Sequence, residues 1–178
     1  MYSVSRSLGV VRLITAVAFA SASVTSAVRA QEGAAGGDSA LARAVTSARI
    51  SLARGLSAAS ARGRPISAKY ELEDGKLQLS VYTEKGGKFW EVIVDHRTGR
   101  IAEAREIKDG EDLTAAKSQS ETMSKAKRSL NAAVTRALHA NRGYHAVSVM
   151  PSVSDGHPVA TIVVARGTAS KTVSEPLS

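Results

Sequence analysis

Three consecutive stretches in the middle of the chain alternate apolar and polar residues with a period of two. Ile66, Ala68, Tyr70 and Leu72 alternate with Ser67, Lys69, Glu71 and Glu73, so the pattern predicts a strand with one wet face. Asp74-Gly75 supplies a two-residue hairpin turn that tolerates positive φ, and Leu77, Leu79 and Val81 then alternate with Lys76, Gln78, Ser80 and Tyr82. After the turn Lys85-Gly86-Gly87-Lys88, the stretch from Phe89 to Asp95 sets Trp90, Val92 and Val94 on an apolar face. Phe89, Glu91 and Ile93 fall on a mixed one. Beyond Thr98-Gly99 a weaker fourth segment, Arg100 to Ile107, mixes Ile101 with Glu103 and Arg105, as suits a sheet edge that must discourage strand addition.

On either side of these strands the apolar period lengthens to three or four. Leu41, Val45 and Ala48 share a helical face, Ser51 is placed to cap a new helix, and Leu52, Leu56 and Ala59 continue the stripe until Gly63 and Pro65 end it. One bent helix or two fit residues 41–61 equally well; Gly55 within the stripe costs about 1 kcal/mol of helix propensity. Downstream, Asp112 could cap one long helix reaching Asn141, with Met123, Ala126, Leu130, Val134 and Leu138 along its stripe. Lys117, Lys125, Lys127, Arg128 and Arg136 lie mostly off that stripe and read as a solvated face.

The chain repeats itself weakly. A shift of 81 residues sets Ile66-Ser67 on Val147-Ser148, Asp74-Gly75 on Asp155-Gly156, and Lys85-Gly86 on Arg166-Gly167. A shift of 78 sets Ser51-Leu52 on Ser129-Leu130, and Leu56 and Ala59 on Val134 and Ala137. The second copy carries Pro176 opposite Asp95 and lacks the Thr-Gly turn. The expected fold class is therefore α+β: two tandem repeats, each a helix packed on a short antiparallel sheet of three to four strands. The first spans residues 40–108, and the second, degenerate and preceded by a helix, residues 109–178. How the two pack is open.

The N-terminus changes the picture of where the protein works. Arg6 and Arg12 precede the apolar run Leu13 to Ala22, and Val28-Arg29-Ala30 precedes a cut, so residues 1–30 read as a secretory signal cleaved after Ala30, or else after Ala27. Gln31 to Ser39, rich in Gly and Ala, reads as a flexible leader. The expected destination is the periplasm or the exterior. Loss of Arg6, Arg12 and Arg29 from the 24 basic residues leaves 21 against 16 acidic ones, a net charge of +5. That charge is dispersed and the aromatics are few, so no nucleic-acid surface is expected. No later stretch is apolar enough for a membrane span, and the absence of cysteine excludes disulfides and thiolate metal sites. The oligomeric state is left open.

Candidate chemistry is sparse. His96, His139, His145 and His157 are dispersed with no ligand-pair spacing, no Ser sits in a nucleophile motif, and Gly86-Gly87 joins strands rather than cradling phosphate. No catalytic residue, cofactor or metal is expected. Ser124 precedes Lys127 by three residues on a lysine-rich helix, without the other elements of a nucleophile site. Asp95, Thr98 and Gly99 read as a structural turn: an Asp accepting backbone N–H groups, a Thr adding another, and a Gly in the left-handed position. Trp90 is expected to be buried against Leu52 and Leu56.

The stretch Gly63 to Ile107, with its Ala-rich helix before a Gly, its paired alternating strands, and Glu91-Val92-Ile93-Val94-Asp95 followed by Thr98-Gly99, resembles the PepSY family. The resemblance implies an extracytoplasmic module of helix on antiparallel sheet, in an exported tandem arrangement of proteobacterial type. Some PepSY modules occur in propeptides of thermolysin-like proteases and are proposed to restrain peptidases. The functional expectation is thus a non-catalytic exported protein that binds an envelope protease or another exported protein, through a strand edge or the face holding Phe89, Glu91 and Ile93. The alternative is a metal-binding or hydrolytic envelope protein with a site assembled from dispersed His and Asp residues.

Overall fold

The computed structural model describes residues 31–178, with side chains from residue 39; the expected signal segment lies outside the described residues. The elements run α1 (Gln31–Thr46), α2 (Leu52–Ala59), a short 3-10 turn (Ser60–Arg62), β1 (Arg64–Glu73), β2 (Lys76–Lys85), β3 (Lys88–Val94), β4 (Ile101–Ile107), α3 (Gly110–Ser124), α4 (Leu130–Ala140), β5 (His145–Ser154), β6 (His157–Arg166) and β7 (Ala169–Pro176). All seven strands join one antiparallel sheet in the order β4-β3-β2-β1-β5-β6-β7.

This corrects the expectation of two separate helix-on-small-sheet units. The first strands of the two halves pair with each other, Ala68 opposite Val149 and Lys69 opposite Ser148, and so convert two sheets into one. The reason is backbone satisfaction: as separate units, β1 and β5 would each leave a free edge beside Ile66, Ala68 and Val149, all now buried. Across this seam the halves keep matching local geometry. The ladder slips between Pro65 and Ser67 in one half and between Ala146 and Ser148 in the other, 81 residues on, and Asp74 and Asp155 take φ of 48° and 50° in their turns.

The helices divide between the two faces. α2 and α4 pack against each other and lie on the apolar face, over β1–β3 and β5–β7 respectively. Their caps are alike, Ser51 Oγ accepting from the Arg54 N–H and Ser129 Oγ from the Ala132 N–H. Their buried stripes also correspond: Leu52, Gly55, Leu56 and Ala59 in α2, and Leu130, Ala133, Val134 and Ala137 in α4. Each fully buried Leu or Val here contributes about 1.5–3 kcal/mol of transfer free energy. Residues 41–61 form two helices, since the Ser51 cap begins α2 after α1 has ended at Thr46. α1 itself takes in Gln31–Ser39, where a flexible leader was expected; alanines in that stretch favour continuing the helix.

The long helix expected from Asp112 to Asn141 is broken at residues 125–129. Two backbone donors that would have continued it, Lys127 N–H and Arg128 N–H, go instead to the Leu177 carbonyl at 2.7 and 3.0 Å, and Ser129 then caps α4. Leu177 is fully buried, and its own N–H donates to the Pro158 carbonyl at 2.9 Å. The break moves the chain across the sheet. α3 covers the polar face over β1 and β5, where Ser67 Oγ, expected to face solvent, is buried and donates to Gln119 Oε1 at 2.7 Å.

Candidate functional site

The Asp95 turn joins β3 to β4 and is held by backbone N–H groups donating to the Asp95 and Thr98 side chains and to main-chain carbonyls. Asp95 Oδ1 accepts from the Arg97 N–H at 2.8 Å and the Thr98 N–H at 2.7 Å, the Gly99 N–H donates to the Asp95 carbonyl, and Gly99 takes φ of 74°. Thr98 Oγ1 accepts from the Arg100 N–H at 3.4 Å. These N–H donors hold the Asp95 carboxyl below the usual aspartate range. The turn is also a clamp: the His96 carbonyl accepts the N–H groups of Arg49 and Ile50, fixing the α1–α2 connection, and the Ile50 carbonyl accepts from the Tyr70 hydroxyl at 2.7 Å. Burial pushes Tyr70 up to about 12, so it stays a neutral donor. Asp95, Thr98 and Gly99 therefore occupy a position that organises two helices and a strand.

The mixed face of β3 is less open than its sequence suggests. Phe89 is 6% exposed and belongs to the core, while Glu91 and Ile93 are half-buried. Trp90, on the helix-facing side as expected, is itself only half-buried. Its truncation removes less than the about 3–5 kcal/mol of a fully buried aromatic.

Around Glu91 the structure gathers polar side chains from three strands. Tyr82 donates to Glu91 Oε1 at 3.4 Å, Ser80 Oγ donates to Glu71 Oε1 at 2.8 Å, and Lys69 pairs with Glu71 while lying 6.0 Å from the Tyr82 ring centroid. Burial raises the Glu91 carboxyl above the usual glutamate range, reinforced by the Glu71 charge and opposed by the Arg105 and Lys69 charges. Burial also raises Tyr82, reinforced by Glu91 and Glu71, and raises Asp112 at the start of α3. The sequence reading placed Lys69, Glu71 and Tyr82 on a wet face and missed their association. The available signal was that, once register is known, Tyr82 stands directly opposite Glu91, and Glu71 opposite Gln78 two residues from Ser80.

The histidines remain apart. His96 is half-buried in the turn, His139 is in the last turn of α4, and His145 and His157 open β5 and β6. Among the described residues no group of three His, Asp or Glu is placed to hold a metal ion. Thr83 Oγ1 and His96 Nδ1 are buried atoms that find no hydrogen-bond partner among those residues. Ser124 Oγ donates to the Glu121 carbonyl at 2.6 Å, within its own helix. No described helix is long and apolar enough to cross a membrane.

The outer strand β4 completes this end of the molecule. Glu103 stands opposite Ile93 and Arg105 opposite Glu91. Arg105 and Glu103 are both exposed, and Arg105 Nη2 donates to Glu103 Oε2 at 2.8 Å.

No known family model matches the chain, and no curated protein matches it. Among solved structures, one of similar shape is a candidate lipoprotein of Clostridium difficile 630. It is 14% identical, with a TM-score of 0.32 over 63% of this chain and 82% of that one. A likeness at that level specifies neither a fold family nor an activity.

Proposed function

We propose that this chain is an exported, non-catalytic module that binds another protein of the cell envelope along β4. The observation that carries the reading is the contrast between the two ends of the sheet. At the β7 end, half-buried Glu175 pairs with Arg136 of α4, and exposed Lys171 lies 4.6 Å from the Tyr144 ring centroid, so both charges are engaged by the protein's own elements. Both edge strands lack an outer neighbour among the described residues, but at the β4 end, where Glu106 pairs with Lys88 of β3, the exposed Glu103 and Arg105 pair with each other along the strand, beside half-buried Ile93 and Glu91. An extended segment added to β4 would gain main-chain hydrogen bonds, and the charges would select its sequence. The PepSY resemblance of Gly63 to Ile107 extends the proposal to restraint of a peptidase, and the signal-like N-terminus supports export.

Capture from native envelope by the chain without residues 1–30 identifies the partner, whose affinity is then measured with purified components. Ile93→Lys and Arg105→Glu are expected to weaken binding at least tenfold while leaving the melting temperature close to that of the parent. Equal binding by both variants, or hydrolase turnover abolished by His96→Ala, would overturn the proposal.

A further inference from the structure

A cleft of about 430 Å³ opens between the end of α2 and the α3–α4 connection. Leu56, Pro65, Met123, Ala126 and Leu130 supply its apolar lining. Ser57, Ser60, Ser129 and Asn131 also line it, their side chains already hydrogen-bonded within the protein, and Arg64, Lys127 and Arg128 supply charge; no acidic side chain among the described residues lines it. The volume lies within the range of small-ligand sites, about 300–1,000 Å³.

The cations differ in what they already hold. Arg64 is engaged with Glu84 at 3.4 Å, the Met123 carbonyl and Ser120. Lys127 and Arg128 spend only their backbone N–H groups, on the Leu177 carbonyl. Their exposed side chains have no ion-pair or hydrogen-bond partner among the described residues. The Leu177 bonds thus fix the backbone beneath two uncommitted positive charges at the mouth of an apolar cleft. Ser129 is the N-cap of α4, so the positive end of that helix dipole adds to the same field.

We infer that this cleft binds a small amphiphilic carboxylate, its acid group between Lys127 and Arg128 and its apolar body against Met123, Ala126 and Leu130. An inorganic anion would leave the apolar lining unused, and a neutral hydrocarbon would leave the two charges unmatched. The site is separate from β4 and does not depend on the proposed partner.

Decanoate, titrated calorimetrically into the folded chain below its micellar concentration, tests the inference beside decanol, decyltrimethylammonium and inorganic phosphate. The expected result is one decanoate per chain, at least tenfold tighter than any of the other three. Affinity should fall at least tenfold in Lys127→Glu/Arg128→Glu, whose changed side chains are exposed, and again in Ala126→Phe, which fills the apolar floor. Circular dichroism checks that each variant is folded. Absence of decanoate binding up to 1 mM, on the order of the weakest useful affinity, overturns the inference. So does binding that neither folded variant weakens, or phosphate or decanol binding as tightly as decanoate.

Discussion

Gly55 in α2 lies directly over Leu79 of β2, so closely that a Cβ on Gly55 would stand 2.4 Å from Leu79 Cδ2 and 3.2 Å from Cγ. Leu79 is fully buried and has little room to retreat. A residue that weakens the helix is therefore what lets the helix seat on the sheet.

Gly55→Ala tests this directly. Helix propensity alone favours Ala by about 1 kcal/mol, whereas overpacking costs about 1–3 kcal/mol; the contact at 2.4 Å makes the second effect win. The expected outcome is a lower denaturation midpoint, partly restored when Leu79→Val is added. The matching position in α4 is Ala133, buried without such a requirement.

Leu177 ties the C-terminal segment to the α3–α4 connection. Leu177→Ala removes a fully buried side chain and should cost about 2–5 kcal/mol in chemical denaturation. Amide exchange at Lys127 and Arg128, whose N–H groups bond the Leu177 carbonyl, should accelerate selectively.

Those same bonds show where the sequence was legible and where it was not. The hairpins could be read because period-two alternation and Asp-Gly turns are local signals, and Asp74 and Asp155 take up the positive φ those turns demand. Ser51 as a helix start was equally local. The break at 125–129 was not, because Lys125, Ala126, Lys127 and Arg128 are good helix formers and the interruption comes from a carbonyl about fifty residues away. The β1–β5 seam was hidden because an edge strand's own sequence does not name its partner. The cover over the polar face was hidden too: α3 has no strong apolar stripe and reaches Ser67 through Gln119. At the turn, the backbone role of Asp95 was readable, while the docking of Arg49 and Ile50 on the His96 carbonyl is long-range.

Asp95 should contribute to stability with a definite pH sign. Its folded pKa lies below the usual 3.8, so the contribution is present above that value and is lost as pH falls through the lowered one. Asp95→Asn should unfold at a lower denaturant concentration than the parent at pH 7, with the two curves converging as the pH is taken towards 2. Parallel curves across that range would mean that the carboxylate charge contributes nothing to the turn.

Glu91 has the opposite sign. Its folded pKa is raised, so the folded chain holds that proton more tightly than the unfolded one; its contribution is most favourable below the usual 4.5 and diminishes as pH rises through it. Glu91→Gln is expected to gain stability relative to the parent between acid and neutral pH, with the gain vanishing below pH about 4. Denaturation midpoints across that range check it.

The most direct test of the account concerns the seam that makes one sheet of the two halves. Cross-strand nuclear Overhauser contacts between β1 and β5, measured on the chain from Gln31, should include the pairs Ala68 with Val149 and Lys69 with Ser148 in antiparallel register. Finding those contacts supports the single seven-stranded sheet. Their absence, with the contacts within each half intact, would contradict it and return the two halves to separate units.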